Sequence, residues 1–175
     1  MNKKRILTIV LITVTLLLVT LLSVQLGKHY NTVKMYRQLP DVTLLQMDST
    51  AFCTSELKEI NKSLVIFYFH PDCDFCQMEI ESILKSQEKL HHTQLLFVSF
   101  ALIEEIKPFL ETFPIDTIPN VLIAMDNNLE FTNTFKPKSI PATYIYNAQG
   151  TLQKVLTGLS SLEVILKIIT RNNAE

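Results

Sequence analysis

Cys73 and Cys76 stand two residues apart in "FYFHPDCDFCQMEIESIL", between an apolar run and a helix-like run. A C-x-x-C pair supports three chemistries: a reversible disulfide, two soft ligands for a metal, or two small buried hydrophobes. Three positions along a helix is about one turn, so sulfurs placed at a helix start can meet, join and separate. Unpaired N–H groups and the macrodipole at that start favour an anion on the first sulfur. This assigns Cys73 the attacking role and Cys76, a turn deeper, the resolving one. The cofactor is then the redox-active disulfide itself.

The neighbours bear on each alternative. A structural zinc site needs about four ligands, and no second cysteine pair supplies them. His91 and His92 follow Cys73 by 18 and 19 residues, ~27 Å along a straight helix. Two thiolates with His70 still make a copper(I) set, which keeps a metal-handling module open. Asp72 and Asp74 flank the first cysteine, and negative charge disfavours a neighbouring thiolate. A less stabilised thiolate makes a weaker oxidant, so the pair reads as a reductase and not a disulfide donor. His70 is a candidate tuning cation below pH ~6.5, or simply a packed loop histidine. Cys53 reads as a small hydrophobe, with a free thiol as its alternative.

The elements that position these residues follow from periodicity. "LVIFYF" (64–69) is a continuous β-rich run, typical of a strand covered on both faces, with Phe67, Tyr68 and Phe69 in the core. Apolar residues at helical spacing then predict a helix from the cysteines to about Leu90. "QLLFVSF" (94–100) is a second buried strand, followed by a helix to about Phe113 with Pro108 in its first turn. "VLIAM" is a third strand, and "SIPATYIYNAQGTLQKVLTG" a strand, turn and strand. "SSLEVILKIITR" is a closing amphipathic helix capped by Ser160 or Ser161. Upstream, "VTLLQM" and "AFC" flank a polar turn as a short hairpin, with a brief helix after it. The pattern predicts an α/β domain with a mixed central sheet flanked by helices.

The N-terminus is a different object. "MNKKR" carries three cations, and 21 uncharged residues follow from Ile6 to Leu26, ~31 Å as a helix and long enough to span a bilayer core. The run exceeds the apolar core of a cleavable signal, and no small-x-small site ends it. It reads as a retained signal anchor with a cytoplasmic N-terminus. The organisation expected is a cytoplasmic stub (1–5), a transmembrane helix (6–26), a juxtamembrane tether (27–39) and a globular domain (40–175) in the periplasm or otherwise outside the cytoplasm. All 17 acids follow Gly27, while three of the 16 Lys and Arg precede it, leaving the remainder at −4. Such a domain has no electrostatic footprint for nucleic acid. A dithiol outside the cytoplasm sits where disulfides persist unless something reduces them.

"VIFYFHPDCDFCQME", "KSIPATYIYNAQG" and "LPDVTLLQMDSTAFCTSELKE" together resemble the thioredoxin fold, and most closely the membrane-tethered TlpA/ResA-type thiol-disulfide oxidoreductases, over about residues 39–171. The resemblance implies a substrate-facing loop at Ile140-Pro141 with Pro141 in cis, leaving the Ile140 backbone to pair with an incoming peptide. It also implies that Glu79, one turn after Cys76, tunes the dithiol or relays its proton; the alternative is a solvated helix face. Protein substrates with thiols or disulfides are implied, for example in cytochrome c maturation, with a membrane thiol-disulfide carrier as electron donor. The chain departs from the pattern in three places: Asp72 stands where the family has Trp, Phe75 where it often has Pro, and Glu81 where a helix-kinking Pro is expected. No G-x-G-x-x-G appears in a chain with only three glycines, so electrons come from elsewhere. A thiol peroxidase is the remaining enzymatic alternative, though no P-x-x-x-[ST]-x-x-C precedes Cys73.

Overall fold

Every residue of strand β3, Ser63–Phe69, is buried, which accounts for a sequence run with no polar alternation. A computed structural model describes residues 3–60 and 62–172. In it β3 pairs in parallel with β4 (Thr93–Ser99) and antiparallel with β6 (Ala142–Tyr146). β5 (Val121–Met125) continues the parallel part beside β4. The hairpin β1 (Thr43–Gln46) and β2 (Ala51–Cys53) adds one edge, and β7 (Leu152–Thr157) the other. The order is β2-β1-β5-β4-β3-β6-β7, a mixed seven-stranded sheet. Helices cover both faces, as the alternation of elements predicts.

Successive β3 side chains point to opposite faces. Val65, Phe67 and Phe69 meet Ile80 and Ile83 of α2 (Asp74–Leu84), Ile106 and Phe109 of α3 (Ile103–Thr112), and Ile165 and Ile169 of α5 (Leu162–Asn172). Leu64, Ile66 and Tyr68 meet Leu39, Tyr36 and the α4 (Glu130–Phe135) residues Phe131 and Phe135 on the other face. Each large apolar side chain so buried contributes about 1.5–3 kcal/mol. These two layers fix the end of β3, and with it the cysteine loop.

Three boundaries differ from the sequence expectation. α2 stops at Leu84, not near Leu90, because Ser86 (φ −140°) leaves helical geometry before a short 3₁₀ turn at Gln87–Leu90. α3 starts at Ile103, so Pro108 is its sixth residue and lies beyond the first turn. The earlier start is set by Glu105, whose Oε2 accepts the Leu102 N–H at 2.8 Å. The third difference is at the tether. The chain divides after Met35 into two compact units. In the first, helix α1 (Lys3–Met35) contains Leu7–Leu26, with mean hydropathy 2.7, long and apolar enough to cross a membrane. Helix therefore continues through much of the stretch read as tether. The second unit begins at Tyr36, not Pro40: the Tyr36 ring stacks on Phe135 and meets Tyr144 edge-on, and its carbonyl accepts the Tyr146 hydroxyl at 2.9 Å.

Candidate active site

β3 ends at the buried Phe69, and a tight turn over His70, Pro71 and the exposed Asp72 redirects the chain into α2. The turn closes with the Cys73 N–H donating to the His70 carbonyl at 3.1 Å. Gln77 Nε2 donates to the Pro71 carbonyl at 2.8 Å and clamps the loop onto the helix. Cys73 is the N-cap of α2, with extended backbone (φ −90°, ψ 108°). Its carbonyl accepts the first intrahelical bond, from Gln77 N–H at 3.0 Å, and its Sγ accepts the Cys76 N–H at 3.3 Å. The sulfur thus takes the position of the usual Ser or Asp capping oxygen, where a helix start favours negative charge.

The two thiols are unequal. Cys73 is half-buried and open to a partner; Cys76 is 1 % exposed. Burial pushes the Cys76 thiol well above the usual range, reinforced by its hydrogen bond with Cys73. Cys76 therefore stays protonated while Cys73 faces outward, the division of labour expected of a resolving and an attacking sulfur.

Cys73 Sγ lies 3.9 Å from the Ile140 carbonyl oxygen. The Ile140–Pro141 peptide bond is cis. The Gly158 N–H holds this loop by donating to the Pro141 carbonyl at 2.8 Å and to Ser139 Oγ at 3.0 Å. Gly158 has φ +76°, the left-handed region that favours glycine, and it lets the end of β7 turn back over the loop.

Glu79 is buried, 2 % exposed, so a solvated helix face does not describe it. Cys76, Glu79, Ile80 and Ile83 form the inward stripe of α2, at the spacing of a helix face packed on a sheet. Thr143 Oγ1 donates to Glu79 Oε1 at 3.1 Å, and Oε2 lacks a hydrogen-bond partner among the described residues. Burial raises the Glu79 carboxyl to about 7, against the opposing effects of the Thr143 hydroxyl and the Ser160 backbone N–H. A negative Glu79 in turn disfavours a Cys76 thiolate.

The remaining candidates scatter. Asp72 and Asp74 are exposed on either side of Cys73. His70 Nδ1 accepts the Asp72 N–H at 3.2 Å, and its ring packs on Phe100 with centroids 5.0 Å apart. Charging His70 at Nδ1 would break that bond. Cys53 sits on the β2 edge, four strands from β3, ~19 Å at the usual strand spacing. His91 and His92 precede β4, at the end of the sheet opposite Cys73. Among the described residues no three His, Cys, Asp or Glu side chains converge on a metal position. Thr143, Ser139 and Gly158 are site residues that the sequence reading did not single out. The spacing of Cys76, Glu79, Ile80 and Ile83 would have signalled a buried acid needing a partner; nothing local signalled Thr143, which arrives from a strand 64 residues away.

Residues 35–155 match the AhpC/TSA family. No curated protein matches the sequence. Among solved structures, the chain is similar to a secreted Mycobacterium tuberculosis disulfide oxidoreductase homologous to Escherichia coli DsbE (16% identity, TM-score 0.63, covering 79% of this chain and 98% of that one). It is similar to a thiol:disulfide interchange protein of Chlorobium tepidum (19% identity, TM-score 0.61, 77% and 94%) and to StoA of Bacillus subtilis (12%, 0.58, 74% and 96%). At these identities the likeness is one of fold, and the fold is thioredoxin-like.

Proposed function

The chain belongs to the AhpC/TSA family, and from that premise we propose that it is a membrane-tethered thiol-disulfide oxidoreductase working outside the cytoplasm, reducing disulfides in exported proteins. One observation carries the reading: Cys73 Sγ caps α2, takes the Cys76 N–H at 3.3 Å and lies 3.9 Å from the Ile140 carbonyl. An accessible sulfur, a buried partner one turn away and a facing loop are what disulfide exchange requires.

In the reaction, the Cys73 thiolate attacks one sulfur of a client disulfide. A Cys73–client disulfide forms, and the other client sulfur leaves as a thiolate that takes up a proton. Cys76 then loses its proton and attacks Cys73 Sγ, forming the Cys73–Cys76 disulfide and releasing the second client thiol. The client gains two electrons and two protons, and the protein dithiol loses them. Glu79, one turn after Cys76 on the inward side of α2 and with its carboxyl raised to about 7, takes the resolving proton in this reading. Ile140 presents its backbone to the client beside Cys73. A membrane dithiol carrier would restore the reduced pair, and the α1 span would hold the domain near it. The similar proteins whose names record disulfide exchange support this reading.

The test is trapping. Cys76→Ala in cells should leave clients disulfide-linked to Cys73, and Cys73→Ala should leave none. Equal recovery from both variants would refute the reading. A peroxidase has less support, since no P-x-x-x-[ST]-x-x-C precedes either site cysteine; peroxide consumption by the purified chain would reverse that preference.

A further inference from the structure

Two carboxylates border the accessible sulfur. Asp72 precedes Cys73 in the turn and Asp74 follows it at the first position of α2, and both are exposed. Neither makes a side-chain hydrogen bond or an ion pair among the described residues. Some other acids of the domain are engaged: Glu105 accepts the Leu102 N–H, Glu130 the Thr43 N–H, Asp126 two N–H groups of α4, and Glu81 pairs with Lys85. Others, such as Glu104 and Glu111, are as free as the two aspartates but lie away from the sulfur on α3. The third acid of the site, Glu79, is 2 % exposed, so it addresses the sulfurs and not a client. Phe75, the residue after Asp74, is 58% exposed, and Met78, a turn further, is 53% exposed. A client chain reaching Cys73 therefore meets exposed apolar side chains and two carboxylates that have no side-chain partner among the described residues.

Resting on the exchange reading above, we infer that Asp72 and Asp74 select clients whose reacting cysteine is flanked by Lys or Arg, and discriminate against acidic flanks. A residue beside the client cysteine lies on the order of 7 Å from each carboxylate. At that range exchanging a flanking cation for an anion changes the rate about tenfold at low salt and a few-fold at physiological salt, where the Debye length is about 8 Å. The carboxylates also act on Cys73 itself, but that effect is the same for every client. Selectivity between clients isolates the contact with the client. Lys138, exposed two residues before Ile140 on the facing loop, is common to all variants and cancels in their comparison.

The experiment uses the full chain in detergent micelles and two peptide disulfides differing only in Lys or Glu beside the cysteines. Each exchange rate is divided by that of dithiothreitol on the same peptide, which removes intrinsic reactivity. The wild type should prefer the Lys peptide about tenfold at roughly 10 mM salt, shrinking as salt rises. The double variant Asp72→Asn, Asp74→Asn should lose most of the preference while still exchanging, and Asp72→Lys should weaken or invert it. Equal rates for the two peptides with wild type, or an Asn variant that changes both rates by the same factor, would overturn the inference. Failure of the wild type to exchange with either peptide removes the parent reading as well.

Discussion

Glu79 and Thr143 are joined across the gap between α2 and β6 by a 3.1 Å hydrogen bond to Oε1, while Oε2 lacks a hydrogen-bond partner among the described residues. A carboxyl buried this way resists ionisation, and the raised value of about 7 against an ordinary 4.5 gives the sign of its pH effect. Below pH ~4.5 both folded and unfolded chains hold the proton, and Glu79 contributes nothing to pH dependence. Between ~4.5 and ~7 the unfolded state ionises first, so the native state holds more protons and its stability falls as pH rises. The loss is about 3 kcal/mol at most and is complete above pH ~7. Glu79→Gln should flatten that slope. Urea unfolding of the reduced full chain at pH 5, 6, 7 and 8 measures it, and parallel slopes for wild type and variant would rule the explanation out.

The unequal burial of the two site thiols predicts their order of reaction. Native alkylation with iodoacetamide, followed by mass spectrometry, should label Cys73 first and Cys53 more slowly, both being half-buried. Cys76, 1 % exposed and held as a thiol by its surroundings, should be labelled at least about 100-fold more slowly unless the chain is unfolded. Labelling of Cys76 at the rate of Cys73 would contradict the resolving role.

How much of this was legible beforehand depends on the range of the interaction. The strand over 64–69 and the helix start at Cys73 follow from local pattern, and the structure has them at Ser63–Phe69 and Asp74. Glu79 was ambiguous because an acid on a helix is ordinarily solvated; only the stripe through Cys76, Ile80 and Ile83 marks its side as the inner one. The Pro108 register failed for a local reason: Glu105 reaches back to the Leu102 N–H and starts α3 at Ile103, upstream of where proline preference alone places it. The start of the second unit failed for a distant one. Tyr36 looks like tether chemistry until Phe135, Tyr144 and Tyr146, about 100 residues later, surround it.

Asp126 supplies a stability test independent of the dithiol. It follows β5, 1 % exposed, and its carboxylate accepts the Phe131 N–H and Thr132 N–H at 2.9 Å each and the Thr132 hydroxyl at 2.6 Å. Thr132 Oγ1 in turn lies 2.8 Å from the Tyr68 hydroxyl, tying α4 to the central strand. Asp126→Ala leaves buried donors unpaired and should cost about 2–3 kcal/mol. Denaturant titration reads the loss, and exchange activity at low temperature should be retained. A variant as stable as the wild type would mean that water replaces the carboxylate without cost.

Gly158 separates backbone conformation from space. An added Cβ there meets nothing within 4 Å, so Gly158→Ala creates no clash, yet φ is +76°. An L-residue in that region costs about 1–2 kcal/mol. The strain falls on the N–H that holds Pro141 and Ser139, 2.8 and 3.0 Å away, so the loop beside Cys73 should loosen along with the loss of stability. The expected outcome is a destabilisation of about 1 kcal/mol or more by denaturant titration. It should come with amide hydrogen exchange at position 158 and its neighbours that is faster than in the wild type, while the β3 core is unchanged. A Gly158→Asn variant, which tolerates left-handed backbone better, should recover part of both effects. Stability that is unchanged in Gly158→Ala would show that the turn relaxes out of the left-handed region and that the loop does not depend on it.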